Sequence, residues 1–267
     1  MKLKTLVHYL KNNGKVTQLT LSQVNYGGIL KGKRIVVTGG GSGIGLAMAK
    51  KFVAEGASVV ITGRNKTKLE AAAKEIDNPL VNVLDWDVID FESIPKKVEQ
   101  CIKLLGGLDI FINNAAFVEK RSDSISFWDK SFDTNSKAPY LICKSVVEYY
   151  TKHHNGEIGK IINISSISSY INNANPYGIS KTVENRITKG FAKEYASRNI
   201  IINAIAPGYV ASSINYQDVE ENAYCQKNPL HRIITPEDIA ELACFLCSDA
   251  SNAIIGQIIA VDGGTLL

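Results

Sequence analysis

Nowhere does this chain carry an apolar run approaching the ~20 residues needed to cross a bilayer, so no membrane span is expected. The opening stretch, Met1 to Asn13, is broken by Lys2, Lys4, His8 and Lys11 and lacks the continuous apolar core of a secretion signal. The expectation is a soluble, cytoplasmic protein with no membrane partner. Cysteines are few and odd in number (Cys101, Cys143, Cys225, Cys244 and Cys247), which argues against a disulfide framework. Cys244 and Cys247 form a CxxC, but it lies alone in the helix-like apolar run ELACFLCSD, so core packing is expected there rather than metal or redox work. Acidic residues are absent before Glu55, where nine basic ones stand. A basic front end can attract a phosphorylated ligand or nucleic acid. It has no aromatic platform, however, and reads as a solvated, lysine-rich extension, so no nucleic-acid partner is expected. Repeats, low-complexity tracts and Pro- or Gly-rich linkers are also missing, which leaves nothing to split the chain.

What is present is an ordinary globular composition, 45% hydrophobic and 21% charged over 267 residues, enough to bury a core without disulfides or metals. Residues 1–33 have a character of their own. Leu3 to Leu10 fits a short amphipathic helix, Lys15 to Val24 alternates loosely as a strand does, and Gly27-Gly28 breaks the pattern. From Arg34 to residue 267 short apolar runs alternate with helical spacing. Strands are expected at 35–37, 58–62, 81–84, 108–112, 160–164, 200–205 and 258–261. Helices are expected at 44–55, 65–76, 95–105, 127–151, 177–197 and 236–248, the last with Thr235 as N-cap and Pro236 in its first turn. Strands apolar on both faces and separated by helices imply an α/β fold: a doubly wound, Rossmann-like parallel sheet in one domain, 34–267, behind an N-terminal extension, 1–33. Ligands of such sheets bind beyond the carboxyl ends of the strands.

The chemistry-bearing motifs fall at those ends. The first strand runs into Thr38-Gly39-Gly40-Gly41-Ser42-Gly43-Ile44-Gly45 and then a helix. Glycines let a diphosphate approach the backbone, and the helix start offers free N–H groups and the positive end of a dipole. A triphosphate-binding loop would need Lys and Ser/Thr after the last glycine, but Leu46-Ala47 follow. Further on, Tyr177 and Lys181 stand four apart on a helix, hence on one face. An ammonium beside a phenol favours the phenolate, which suits the pair to proton transfer near neutral pH.

These runs resemble the TGxxxGxG and YxxxK motifs of the short-chain dehydrogenase/reductase family, over about residues 31–267, with a pattern nearest its 3-oxoacyl-[acyl-carrier-protein] reductase-like members. The resemblance implies a nicotinamide cofactor held by Gly39, Ser42, Gly43, Ile44 and Gly45. It implies adenine contacts at Asp87 and Val88, a pocket wall at Asn114 and Ala115, and a nicotinamide-side lining at Pro207, Gly208 and Val210. Tyr177 and Lys181 also meet the cofactor. Ala116 replaces the glycine of the family's NNAG, and Ala211-Ser212-Ser213 stand where a threonine is frequent. The family's acidic position after strand two falls at Gly63, and Arg64 follows it, so NADP(H) is expected over NAD(H). Ser42 stands where many NADP-using relatives carry a second basic residue.

For catalysis the resemblance implies Asn135, Ser166, Tyr177 and Lys181. Tyr177 is the general acid/base, Ser166 (or its neighbour Ser165) holds the substrate oxygen, and Lys181 binds ribose and tunes the tyrosine. Asn135 kinks the long helix and holds a water that links the lysine to solvent. The loop between Ser166 and Tyr177 is short for the family. Residues 209–234 are expected as a polar substrate lid, with His231 where glycine is frequent. The implied activity is hydride transfer between nicotinamide and a carbonyl or secondary alcohol. The substrate expected first is a 3-oxoacyl thioester, with a small polar ketone or sugar as the alternative. The implied assembly is a homotetramer or dimer. A non-catalytic dinucleotide-binding regulator would ordinarily lack the tyrosine or lysine, and both are here. The longer epimerase-like relatives have a GxxGxxG loop and a second domain, neither of which is found.

Overall fold

Side chains alternate across a strand, so Ile35 and Val37 of the first strand must face one way and Val36 the other. In the computed structural model, which describes residues 13–17, 23–119, 124–172, 174–211 and 222–267, they enter two different cores. The strands are β1 (Arg34–Thr38), β2 (Ser58–Gly63), β3 (Val81–Asp85), β4 (Ile110–Asn113), β5 (Gly159–Ile164), β6 (Ile200–Pro207) and β7 (Ile258–Val261). They form one parallel sheet in the order β3-β2-β1-β4-β5-β6-β7. Chain order reverses between β1 and β4, which opens the crevice where such sheets bind ligands.

The helices are α1 (Gly43–Ala54), α2 (Lys66–Ile76), α3 (Ile94–Leu105), α4 (Ile125–Phe132), α5 (Ala138–His153), α6 (Pro176–Tyr195) and α7 (Pro236–Cys247). On one face Met48, Phe52 and Leu246 of α1 and α7 pack on Ile35, Val37 and Ile61. On the other, Val98, Val146 and Tyr150 of α3 and α5 pack with Val36, Phe111 and Ile202. Thr235 caps α7 as expected, and Asp238 completes a reciprocal capping box. Cys244 and Cys247 are buried within α7, and all five cysteines are free thiols. Among the described residues no helix is long and apolar enough to cross a membrane.

Two expectations are corrected. The single helix at 127–151 is two helices joined by a π-helical turn, Asp133–Lys137, in which backbone bonds skip one residue further than in an α-helix. The described parts of Lys15 to Val24 are not strand; the rest of that segment, like Leu3 to Leu10, lies outside the described residues.

The last part of the extension belongs to the first core. Leu30 is fully buried there, with its N–H donating to the Glu55 carbonyl (3.1 Å). The buried Glu55 carboxylate accepts from Tyr26 N (3.0 Å) and Gly28 N (3.1 Å). Lys51 lies between Glu55 (3.1 Å) and Glu241 (3.0 Å) and also donates to the Val24 carbonyl. Burial alone would raise the Glu55 carboxyl, but these donors outweigh it and hold it below its usual range. Further toward the N-terminus, Thr17 N donates to Asn222 Oδ1 (3.0 Å) and Ala223 N donates to the Thr17 carbonyl (2.9 Å). The extension therefore joins the back of α1 and α7 to the segment that returns from the expected lid.

Candidate active site

At the carboxyl end of β1 the chain must turn into α1 without crowding whatever lies over the turn. Gly39 takes φ +67°, a left-handed conformation that suits glycine. A Cβ on Gly45 would lie 2.3 Å from the Gly39 carbonyl oxygen and 2.6 Å from Asn114 Nδ2, so no larger residue fits there. Ser42 is the N-cap of α1 but its side chain caps nothing, and the first turn holds no acidic residue. The helix start thus offers unpaired N–H groups to an anion.

Thr38 fixes the neighbouring wall. Its Oγ1 accepts from Asn114 N (2.9 Å) and Ala115 N (3.0 Å), and Asn114 Nδ2 donates to the Thr38 carbonyl (2.8 Å). Ala116 is not among the residues with positive φ, so it replaces the expected glycine without strain.

These groups line a cavity of about 750 Å³ that runs along the strand ends. Every residue expected to touch cofactor lines it: Gly39, Ser42, Gly43, Ile44, Gly45, Arg64, Asp87, Val88, Asn114, Ala115, Tyr177, Lys181, Pro207, Gly208 and Val210. At one end stand Arg64 and Lys68, both exposed and neither with an ion-pair partner among the described residues. Lys68 was not foreseen. It reaches the cavity because Asn65 caps α2 by accepting from Lys68 N (3.0 Å), which places the lysine in the first turn. A Cβ on Gly63 would meet only Leu69, at 3.6 Å or more, so nothing steric requires glycine there. Asp87 lines the cavity and also accepts weakly from Ile89 N (3.3 Å), so it is a turn residue as well.

At the other end are Ser166, Tyr177 and Lys181. Asn175 caps α6 by accepting from Tyr177 N (2.9 Å), with Pro176 in the first turn, so Tyr177 stands at the very start of the helix and Lys181 one turn on. The two serines differ in what their hydroxyls do. Ser165 donates to Asn185 Oδ1 (2.6 Å), whereas Ser166 accepts from Ser168 N (3.1 Å) and keeps its proton to give. The short loop between Ser166 and Tyr177 is tied to α6 through Ser169. Its carbonyl accepts from Thr182 Oγ1 (3.0 Å) and its hydroxyl from Asn185 Nδ2 (2.8 Å).

Asn135 lies in the π-helical turn, fully buried behind the cavity rather than on its wall. It accepts from Phe117 N (2.8 Å) and donates to the Phe117 carbonyl (2.9 Å) and to Ser180 Oγ (3.1 Å). Ser180 in turn donates to the Tyr177 carbonyl (2.8 Å), so Asn135 braces the first turn of α6; among the described residues its side chain makes no hydrogen bond to Lys181.

Lys181 is 1% exposed; its Nζ donates to the Ile164 carbonyl (2.7 Å) and to Glu184 Oε2 (2.7 Å). Glu184 is the second residue the motifs did not foresee. Burial raises its carboxyl to about 7 against the opposing pull of Lys181. His231 adopts φ +51° and stacks on Tyr224, which accounts for glycine being frequent at this position. The polar lid residues at 212–221, Ser212 and Ser213 among them, lie outside the described residues.

A family model described as enoyl-(acyl carrier protein) reductase matches residues 39–265. The human dehydrogenase/reductase SDR family member 4 is 33% identical over 88% of this chain and 88% of its own. The chain belongs to the short-chain dehydrogenase/reductase family. Another relative in this family is the 3-oxoacyl-[acyl-carrier-protein] reductase of Aquifex aeolicus, 33% identical over 88% of this chain and 98% of its own. The gluconate 5-dehydrogenase of Gluconobacter oxydans is 32% identical over 88% and 95%. The crystal structure of a short chain dehydrogenase from Bacillus anthracis superimposes with a TM-score of 0.79 at 34% identity, covering 89% of this chain and 98% of that one. The protein is thus a short-chain oxidoreductase acting between CH–OH and C=O, of a family that works with a nicotinamide cofactor. The glycine turn, the open start of α1 and the unpaired cations at the far end fit a dinucleotide.

Proposed function

We propose that the chain is an NADP(H)-dependent carbonyl reductase in which Tyr177 is the general acid. The observation that carries this reading is that Ser166, Tyr177 and Lys181 line the same cavity as the glycine turn. Arg64 and Lys68 supply two unpaired cations for a 2′-phosphate, with Gly63 where a carboxylate would repel it. A nicotinamide held against the glycine turn, Tyr177 and Lys181 would supply the hydride. Tyr177 donates its hydroxyl proton to the carbonyl oxygen, and the free hydroxyl proton of Ser166 stabilises negative charge as it develops there. Lys181 has spent two of its three N–H donors on Ile164 and Glu184, which leaves one for a ribose hydroxyl. Asn135 holds the start of α6 through Ser180.

For the substrate we favour a 3-oxoacyl thioester, because the Aquifex relative is named for that reaction across nearly its whole length. The Gluconobacter relative supports a second reading, a small polyhydroxy ketone. Five buried free thiols suit the reducing cytoplasm in which we place the protein. We further propose a dimer or tetramer, which its molar mass in solution decides.

The first test is a titration with NADPH and NADH, followed by turnover on acetoacetyl thioesters and keto-sugar acids. NADPH should bind at least about tenfold tighter, and Arg64→Ala with Lys68→Ala should remove most of that preference. Tyr177→Phe should abolish turnover and leave NADPH binding largely intact; unchanged turnover would sink the acid/base assignment.

A further inference from the structure

Helix α6 lays one stripe against the sheet, and residues 177, 181, 184 and 188 share it by helical spacing. A buried stripe ordinarily carries apolar residues at such positions. Here position 184 is a glutamate, 1% exposed, and its carboxylate reaches Lys181 Nζ at 2.7 Å. Removing a carboxylate from water is costly unless it is paired, so an unneeded glutamate at this site would be a liability. Lys181 lines the cavity whereas Glu184 does not, so the carboxylate holds the ammonium from behind the wall.

The surroundings of Glu184 are polar but uncharged. Thr188 Oγ1 donates to the Glu184 carbonyl (3.0 Å) and accepts from Asn163 Nδ2 of β5 (2.8 Å). Asn163 Oδ1 accepts from Asn113 Nδ2 of β4 (2.8 Å). The titratable group facing Glu184 from α5 is the Cys143 thiol, which burial, with Glu184 adding to it, pushes up to about 12 and keeps neutral. From its own helix the group is Lys181. The Lys181 ammonium and the Glu184 carboxylate are therefore each other's electrostatic partner.

We propose that Glu184 is a positioning residue of the active site: it fixes the Lys181 ammonium and offsets the positive charge that the ammonium presents beside Tyr177 in the cavity. The inference rests on the reading of Tyr177 as general acid/base. Lys181 alone would pull the tyrosine toward phenolate, the form that oxidises an alcohol. A carboxylate in contact with the ammonium opposes that pull. Because the Glu184 carboxyl is raised to about 7, the offset is weak below neutrality and full above it.

The test is the pH dependence of kcat/KM in both directions for wild type, Glu184→Gln, Glu184→Asp and Glu184→Leu, beside Tyr177→Phe. In Glu184→Gln the rising limb of alcohol oxidation should move to lower pH by about one unit, and reduction at pH 8 should fall several-fold. Wild type and Glu184→Gln should converge below about pH 6, where both carry an uncharged side chain at 184. Glu184→Asp should restore much of the wild-type profile. Glu184→Leu, the apolar residue such a stripe normally holds, should move the limb as Glu184→Gln does. An unmoved limb, or failure of both the Gln and Leu variants to fold, would overturn the proposal in favour of a purely structural pair. Full activity in Tyr177→Phe would overturn the acid/base reading instead, an outcome separate from either.

Discussion

Ser165 and Ser166 are adjacent and chemically identical, yet only one has a proton left to give. Ser165 has committed its hydroxyl to Asn185, whereas Ser166 only accepts. Ser166→Ala should therefore lower kcat by about a hundredfold or more, the usual effect of removing a donor to a developing oxyanion, with NADPH binding unchanged. Ser165→Ala should keep kcat within a few-fold and instead cost about 1 kcal/mol of stability, measured by urea unfolding, because Asn185 loses a partner. The sequence left these two serines open, since nothing in a one-dimensional pattern records where a hydroxyl proton points. Tyr177 and Lys181 were legible because a spacing of four on a helix is a geometric statement in itself. Glu184 and Lys68 were not. A charged residue three positions from a lysine reads as an ordinary solvated helix pair until the sheet beneath α6 is known, and Lys68 needs the Asn65 cap to place it.

At the scale of elements, the strands and most helices followed from apolar runs and turn residues, to within a residue or two at their ends. The long helix did not. Apolar periodicity over 127–151 is continuous, and a π-helical turn adds one residue to the backbone loop without breaking it, so the kink at Asn135 came from the family resemblance and not from the pattern. It is this turn that buries Asn135 against Phe117 and Ser180. Strand pairing has its own anchor at the amino ends of the neighbouring strands β1 and β4. Asp109, just before β4, accepts from Arg34 N (2.8 Å), Nε (2.9 Å) and Nη2 (2.6 Å) at the start of β1. Burial by itself would raise the Asp109 carboxyl, but the Arg34 donors overcome it and hold it below its ordinary value. A depressed carboxyl stabilises the fold above its unfolded value and loses that contribution as pH falls through its folded one. Asp109→Asn should thus lower stability by about 1 to 2 kcal/mol near pH 7, and the gap to wild type should begin to narrow as the pH of thermal melts is taken below about 4.

Across the whole molecule, the extension is tied down at two separate places. Glu55, Lys51 and Glu241 hold Val24 to Gly28 behind α1 and α7, and Thr17 bonds to the segment around Asn222. Its lysine-rich composition suggested only a solvated tail, because the acidic partners that receive it lie 27 or more residues away in sequence. Lys51→Met would leave Glu55 buried with no counter-charge, and a loss of about 3 kcal/mol in urea unfolding is expected. A change under about 1 kcal/mol would show that the backbone donors of Tyr26 and Gly28 suffice. The same distribution of constraint is visible along the cavity. Its glycine-turn end is closed to larger side chains at Gly45, while its far end has room for a Cβ at Gly63. Ancestry can therefore act unequally on the two ends. A lineage that altered residue 45 would crowd its binding turn, but one that placed an aspartate at 63 would find room for its Cβ and would set a carboxylate beside Arg64 and Lys68. Residue 63 is thus the place where the charge of that end can change while the glycine turn stays as it is.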